Sequence, residues 1–115
     1  MAYDGSCHCG VVTFSVAADT PTQALSCNCS ICRRKGLLLA FVPRAAVTVQ
    51  GEGALRSYLF NTHRIRHQFC TTCGTETFAF APGPNGGDGC AINLRCVPAI
   101  DLDALEIQLF DGASL

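Results

Sequence analysis

Residues 70–74 of the chain read CTTCG, and this short stretch decides how the rest of the sequence is interpreted. Two Cys separated by two residues let both thiolates reach one tetrahedral Zn²⁺ at about 2.3 Å. The Gly that follows permits the backbone angles that direct amide groups back towards the sulfurs. Residues 7–10, CHCG, offer a second pair of thiols with the same closing Gly. Two such pairs complete a closed site, and we predict that a structural Zn²⁺ is held by Cys7, Cys9, Cys70 and Cys73.

A third cluster, residues 27–32, reads CNCSIC and supplies three thiolates without a fourth Cys in an equivalent position. Zinc sites with three protein ligands typically leave the fourth position to water or substrate, whereas structural sites are closed. Three thiolates around Zn²⁺ give a charge of about −1, which weakens the metal as a Lewis acid and favours an exchangeable sulfur ligand. We therefore predict a second, open and catalytic Zn²⁺ site at Cys27, Cys29 and Cys32.

Three cations, Arg33, Arg34 and Lys35, follow this cluster directly. They would offset the negative charge of the site, and they could bind the carboxylates of an anionic thiol such as glutathione. A solvated turn would have the same sequence, so both interpretations stay open. With a thiol as the exchangeable ligand, we predict an enzyme whose substrate is a small-molecule thiol.

The remaining Cys and His residues leave alternatives open. A fourth protein ligand for the three-Cys cluster could come from His63, His67, Cys90 or Cys96. We expect the two Cys to be small buried core residues, although a redox thiol is possible if one is exposed with a lowered pKa. We expect His8 to point away from the metal. His67 precedes a predicted ligand closely, where a supporting hydrogen bond and a catalytic role are equally compatible with the sequence.

Nine Cys in 115 residues place the chain near the level of about 8–10% that is typical of cysteine-scaffolded domains. Residues 1–4 have neither the basic nor the apolar region of a secretory signal, so we expect a reducing, cytoplasmic environment. Disulfides are further disfavoured because Cys within one tight loop rarely have the geometry to bridge each other. For the outer four Cys, the alternatives are free thiols, disulfides, or iron in place of zinc.

The composition argues against a membrane protein and a dedicated nucleic-acid binder. No stretch approaches the roughly 20 apolar residues of a membrane span. The formal charge of −1 becomes about −4 with seven thiolates and two Zn²⁺, which opposes phosphate binding. The alternative function is a non-enzymatic zinc module that binds protein or nucleic acid through a β surface, since Arg56, Arg64 and Arg66 lie close together in sequence.

Short segments with strand character recur along the chain between Gly, Pro and Asn residues. The predicted strands are residues 11–16, 37–42, 47–49, 55–60, 65–69, 75–80, 90–94 and 107–110. In the first of them, Val12, Phe14 and Val16 fall on one face. Only residues 101–106 resemble a helical turn, with Asp101 as a possible N-cap. We predict one all-β domain over residues 1–115, built of small antiparallel sheets that zinc staples together, with at most one or two short helical turns.

The three Cys clusters, in this order and spacing, resemble the glutathione-dependent formaldehyde-activating enzyme family, which includes centromere protein V-like domains. The resemblance runs through residues 5–14, 27–33, 69–75, 92–96 and 101–102. It implies a β-tent fold with two zinc sites that match the four-thiolate and three-thiolate sets. It also implies carbon–sulfur lyase chemistry, in which glutathione adds reversibly to formaldehyde to give S-hydroxymethylglutathione.

Overall fold

The computed structural model describes residues 2–60, 65–82 and 87–114 of the chain. The strands in these ranges are β1 Tyr3–Ser6, β2 Thr13–Val16, β3 Gln23–Cys27, β4 Leu39–Pro43, β5 Val47–Gln50, β6 Leu55–Tyr58, β7 Arg66–Cys70, β8 Glu76–Pro82, β9 Asp88–Asn93 and β10 Glu106–Phe110. One short α-helix, α1, spans Ser30–Lys35. Single 3₁₀ turns cover Arg44–Ala46, Glu52–Ala54, Leu94–Cys96, Leu102–Ala104 and Gly112–Ser114. None of the described helices is long and apolar enough to cross a membrane.

The strands form two sheets, which confirms the predicted all-β fold. The small sheet has the order β1-β2-β5, and the large sheet has the order β10-β3-β4-β9-β8-β7-β6. All pairs are antiparallel except β3 and β10, which run parallel with Cys27 opposite Phe110. This pair differs from the antiparallel arrangement that the sequence predicts. A long connection, rather than a hairpin, brings β10 back to the sheet, and such a crossover permits the parallel direction.

The main core lies between the two sheets. The predicted apolar face of β2 is buried, since Phe14 and Val16 are 3% and 0% exposed. Phe14 meets Phe78 of β8 edge to face, with ring centroids 5.7 Å apart. This is a favourable aromatic geometry. Ile92 of β9 is fully buried in the same cluster. The aromatic pair and its neighbours therefore fix how the small sheet sits on the large one.

Helix α1 covers the other face of the large sheet. Side chains alternate along a strand, so Ala79 and Ala91 point away from the main core. They form a second apolar cluster together with Cys32 of α1 and with Leu37 and Leu39. This packing places the three-Cys segment against the sheet.

Each of the eight predicted strand segments overlaps a strand of the structure, with ends that differ by a few residues. The structure adds β1, β3 and α1, which the sequence pattern does not predict. The predicted turn over residues 101–106 contains the 3₁₀ turn Leu102–Ala104. The side chain of Asp101 caps this turn by accepting a hydrogen bond from the Asp103 amide at 3.1 Å, as predicted.

Candidate metal centres

The first cysteine cluster joins the two sheets. Cys7 and Cys9 lie between β1 and β2, whereas Cys70 ends β7 and Cys73 lies in the turn to β8. The four Sγ atoms all lie within 4.8 Å of one another. The Sγ atom of Cys9 is 3.5 Å from that of Cys7 and 3.7 Å from that of Cys70. Four sulfurs at about 2.3 Å from a tetrahedral Zn²⁺ are about 3.8 Å apart, so this donor set fits such an ion.

Glycines and backbone amides shape both loops of this cluster. Gly10 and Gly74 have φ angles of 84° and 80°, in the left-handed region that favours glycine. This conformation explains the Gly that follows each pair of Cys in the sequence. The amides of Val12 and Thr72 each lie 3.4 Å from a sulfur of the cluster and donate hydrogen bonds to it. Such amides stabilise negative charge on thiolates.

Hydrogen bonds also favour the deprotonated form that a metal requires. The hydroxyl of Thr75 lies 3.3 Å from Cys73 Sγ, and together with the backbone of Cys9 it lowers the pKa of Cys73 to about 5. Hydrogen bonds, first from the backbone of Cys73, lower the pKa of Cys70 as well. Because metals bind thiolates and not thiols, these contacts favour the metal-binding form of Cys70 and Cys73.

The second cluster lies at the junction of β3 and α1. Cys27 ends β3, Cys29 is the N-cap residue of α1, and Cys32 is buried within the helix. Their three Sγ atoms lie within 4.8 Å of one another. The amide of Cys29 donates to Cys27 Sγ at 3.4 Å. Burial raises the pKa of Cys32. At Cys29 burial also acts to raise the pKa, but hydrogen bonds with several neighbouring groups, Cys32 first, together outweigh it and lower the pKa. This second group of donors could also hold a metal ion.

Within residues 2–60, 65–82 and 87–114, no His, Cys, Asp or Glu side chain joins the three sulfurs as a fourth donor. His67 is buried on β7 and contacts the carboxylate of Glu76 at 2.8 Å. Cys90 and Cys96 belong to the main core. His63, the remaining candidate for a fourth ligand, lies outside the described residues.

The C-terminal segment packs directly on the second cluster through Asn28. The side chain of Asn28 donates to Asp111 Oδ1 at 3.0 Å and accepts from the Ala113 amide at 2.9 Å. Its backbone amide donates to the carbonyl of Phe110 at 3.1 Å. These three hydrogen bonds hold the chain end beside two of the predicted ligands.

A cavity of about 430 Å³ borders the second cluster. Cys27 and Cys32 lie on its wall together with Arg33 and Arg95. The remaining lining residues are Ser26, Asn28, Gly36, Leu37, Leu38, Leu109, Phe110 and Asp111. Arg33 follows the cluster in sequence and is one of the predicted anion-binding residues. Arg95 was not predicted, because only the folding of the chain brings the turn Leu94–Cys96 to this cavity.

Arg34 and Lys35, the other two predicted anion-binding residues, lie elsewhere on α1. Both line a separate cavity of about 400 Å³ together with Tyr58 and Phe60. Lys35 Nζ forms an ion pair with Glu76 Oε1 at 2.7 Å. Arg34 donates to the carbonyl oxygen at the start of its own helix at 2.9 Å. Arg33 is thus the member of this run that reaches the cavity beside the three sulfurs.

The two remaining Cys are core thiols. Cys90 and Cys96 are 2% and 8% exposed. Burial raises the pKa of Cys90 to about 12 and that of Cys96 to about 11. A redox role required an exposed thiol with a lowered pKa, so the structure contradicts that alternative. His8 is exposed between two cysteines of the first cluster.

Comparisons with known proteins agree with the cysteine pattern. Residues 2–96 match the family model "Glutathione-dependent formaldehyde-activating enzyme". A curated relative from Halomonas elongata, named "Putative glutathione-dependent formaldehyde-activating enzyme", is 31% identical over 91 residues. The match covers 71% of this chain and spans 58% of that protein's length.

A crystal structure of a Rhodobacter sphaeroides protein, solved as a structural genomics target, has a similar fold. The TM-score is 0.77 at 27% identity, and the alignment covers 91% of this chain and 99% of the other. The fold, the order of the Cys clusters and the family match over residues 2–96 lead to one conclusion: this chain belongs to the glutathione-dependent formaldehyde-activating enzyme family.

Proposed function

We propose that the chain is a zinc-dependent carbon–sulfur lyase that adds a glutathione-like thiol reversibly to formaldehyde or a related small aldehyde. The observation that carries this proposal is the cavity of about 430 Å³ that both Cys27 and Cys32 share with Arg33. It combines a soft metal-binding group, a cation for an anionic substrate and space for a small molecule. Family membership supports the same chemistry.

In this proposal the two clusters have different roles. Cys7, Cys9, Cys70 and Cys73 hold a structural Zn²⁺, because four thiolates close the coordination shell. Cys27, Cys29 and Cys32 hold a second, catalytic Zn²⁺. That ion, when bound, would lower the pKa of a substrate thiol and so increase the fraction of reactive thiolate at neutral pH. Because all seven thiols must stay reduced, the proposal includes a cytoplasmic location.

The residues of the cavity bind and orient the thiol substrate. Arg33 would bind a carboxylate of the substrate by charge-assisted hydrogen bonds. The apolar side chains of Leu37 and Phe110 would exclude water from the sulfur. In the forward reaction the thiol loses its proton, the sulfur forms a bond to the carbonyl carbon, and the carbonyl oxygen gains a proton to become a hydroxyl. The reverse reaction breaks the same carbon–sulfur bond.

Exchange spectroscopy by NMR with ¹³C-formaldehyde and glutathione tests the proposal directly. The zinc-loaded protein should accelerate exchange between free and thiol-bound formaldehyde above the uncatalysed rate. Cys29→Ser should abolish the acceleration. Cys90→Ala is the matched control, since this thiol lies in the core and outside both clusters, and it should retain activity. No acceleration by the wild-type protein would overturn the proposal and favour a non-enzymatic interaction module.

A further inference from the structure

The 3₁₀ turn Leu94–Cys96 holds Arg95 firmly in place. Leu94 and Cys96 are 0% and 8% exposed, whereas Arg95 between them is exposed. The buried side chain of Asn93 accepts a hydrogen bond from the Arg95 amide at 3.2 Å and donates one to the carbonyl of Glu76 at 2.8 Å. The turn is therefore tied to the end of β9 and to β8, and it presents one cation to the cavity.

A hydrogen bond orients the side chain of Arg95, but no carboxylate of the described residues pairs with its positive charge. Its Nε donates to the carbonyl of Gly36, which ends α1, at 2.6 Å. That contact leaves both Nη groups for another partner. Within the described part of the chain, no carboxylate forms an ion pair with Arg95 or with Arg33. Asp111, the acidic residue on the cavity wall, is already hydrogen-bonded to Asn28 and to Ser114.

Arg33 of α1 and Arg95 of the turn Leu94–Cys96 thus line one cavity together with two cysteines of the second cluster. We propose that Arg95 binds a carboxylate of the thiol substrate, and that Arg33 and Arg95 together select thiols with two carboxylates. This inference rests on the proposed function, since it assumes that the sulfur of the same ligand occupies the three-Cys site. A planar guanidinium with two free Nη groups binds a carboxylate through paired hydrogen bonds, which a lysine cannot reproduce.

Calorimetric titration of the zinc-loaded full chain with glutathione and with glutathione diethyl ester tests this inference. The ester keeps the thiol and masks both carboxylates. The wild-type protein should bind glutathione more tightly than the ester. Arg95→Gln should raise the Kd for glutathione about 10- to 100-fold and change the Kd for the ester less than about twofold. Arg95→Lys keeps the charge without the paired geometry, so its Kd for glutathione should be intermediate.

Arg56→Gln is the matched control, because this exposed arginine of β6 carries the same charge and does not line the cavity. It should leave both Kd values unchanged. If Arg95→Gln weakens both ligands equally, Arg95 acts only through its contact with Gly36 and the inference is wrong. If it weakens neither, the inference is wrong as well. If the wild-type protein does not bind glutathione, the proposed function is wrong as well as this inference. If the wild-type protein is active and the Arg95→Gln variant still prefers glutathione to the ester, this inference alone is wrong.

Discussion

Gly112 shows how closely the C-terminal segment approaches the second cysteine cluster. A Cβ atom at this position would lie 2.5 Å from Cys27 Sγ and 3.3 Å from the Cβ of Cys29. Both neighbours belong to the predicted ligand set, so an added methyl group must displace either the cluster or the chain end. The absence of a side chain is therefore a requirement of the site and not of the backbone conformation.

Gly112→Ala should therefore weaken zinc binding at the three-Cys cluster, about 10-fold or more by analogy with the loss of residues that support metal ligands. The four-Cys cluster should be unaffected. Competition with a chromogenic chelator measures the two affinities. Gly53→Ala is the control, since nothing lies within 4 Å of its added Cβ. If the two variants bind zinc at the three-Cys cluster with equal affinity, the chain end moves aside without disturbing Cys27 and the prediction is wrong.

Cys90 provides a pH-dependent test at the same scale. Burial raises its pKa from 9.0 to about 12 in the folded protein. Above pH 9 the unfolded chain therefore binds fewer protons than the folded chain, and stability falls as the pH rises towards the folded pKa. Between pH 9 and 11, the free energy of unfolding should fall more steeply for the wild type than for Cys90→Ala, by up to about 1.4 kcal/mol per pH unit. Urea unfolding measures the free energy of unfolding at each pH. If this free energy falls equally with pH in the wild type and in Cys90→Ala, the Cys90 thiol is not buried in its neutral form.

Sequence patterns predict individual residues only where the chemistry is local. The Cys pairs near residues 7–10 and 70–74 are recognisable because ligand spacing and the following Gly are encoded within a few positions. Arg95 has no such signal, because its relation to Cys27 depends on how β3 and the turn after β9 are brought together. Lys35 shows the opposite case, since its neighbours in sequence suggest a substrate contact whereas the fold pairs it with Glu76.

Element predictions fail where an element depends on its tertiary partners. Helix α1 has only six residues, and no side chain caps its N-terminus. A pattern of helical period cannot emerge over so short a segment. The helix ends at Gly36, with φ of 66°. Strand β1 contains Asp and Gly, which are depleted in strands, and its pairing with β2 stabilises it.

The ion pair between Lys35 and Glu76 attaches α1 to the large sheet. The Glu76 side chain is 2% exposed, whereas that of Lys35 is 32% exposed. Lys35→Met should therefore leave a buried carboxylate with His67 as its remaining side-chain partner, and should cost about 2–3 kcal/mol of stability. Arg34→Met on the same helix removes an exposed cation that forms no ion pair with a carboxylate of the described residues, and it should cost less than about 0.5 kcal/mol. Urea unfolding of the two variants with zinc present measures the difference, and equal costs would mean that Glu76 is satisfied without Lys35.

The two clusters have different positions in the whole molecule. The first cluster joins a loop of the small sheet to the end of β7 in the large sheet, and Cys9 and Cys70 are 61 positions apart in the sequence. The second lies within one segment of six residues, Cys27 to Cys32. A cross-link over a long loop removes far more freedom from the unfolded chain than one over a short loop. The strand pattern of the sequence predicts the all-β fold well. It does not predict the parallel pairing of β10 with β3, because that pairing depends on the complete topology.

This difference predicts opposite effects for two Cys→Ser variants. Cys70→Ser should unfold the protein largely, because a structural zinc contributes on the order of 10 kcal/mol against a domain stability of about 5–15 kcal/mol. Cys29→Ser should act locally at the start of α1 and give a folded protein with one zinc fewer and no thiol–aldehyde activity. Thermal melts beside zinc analysis distinguish the two. If Cys29→Ser unfolds as completely as Cys70→Ser, the three-Cys cluster is structural, and the catalytic role proposed for it is wrong.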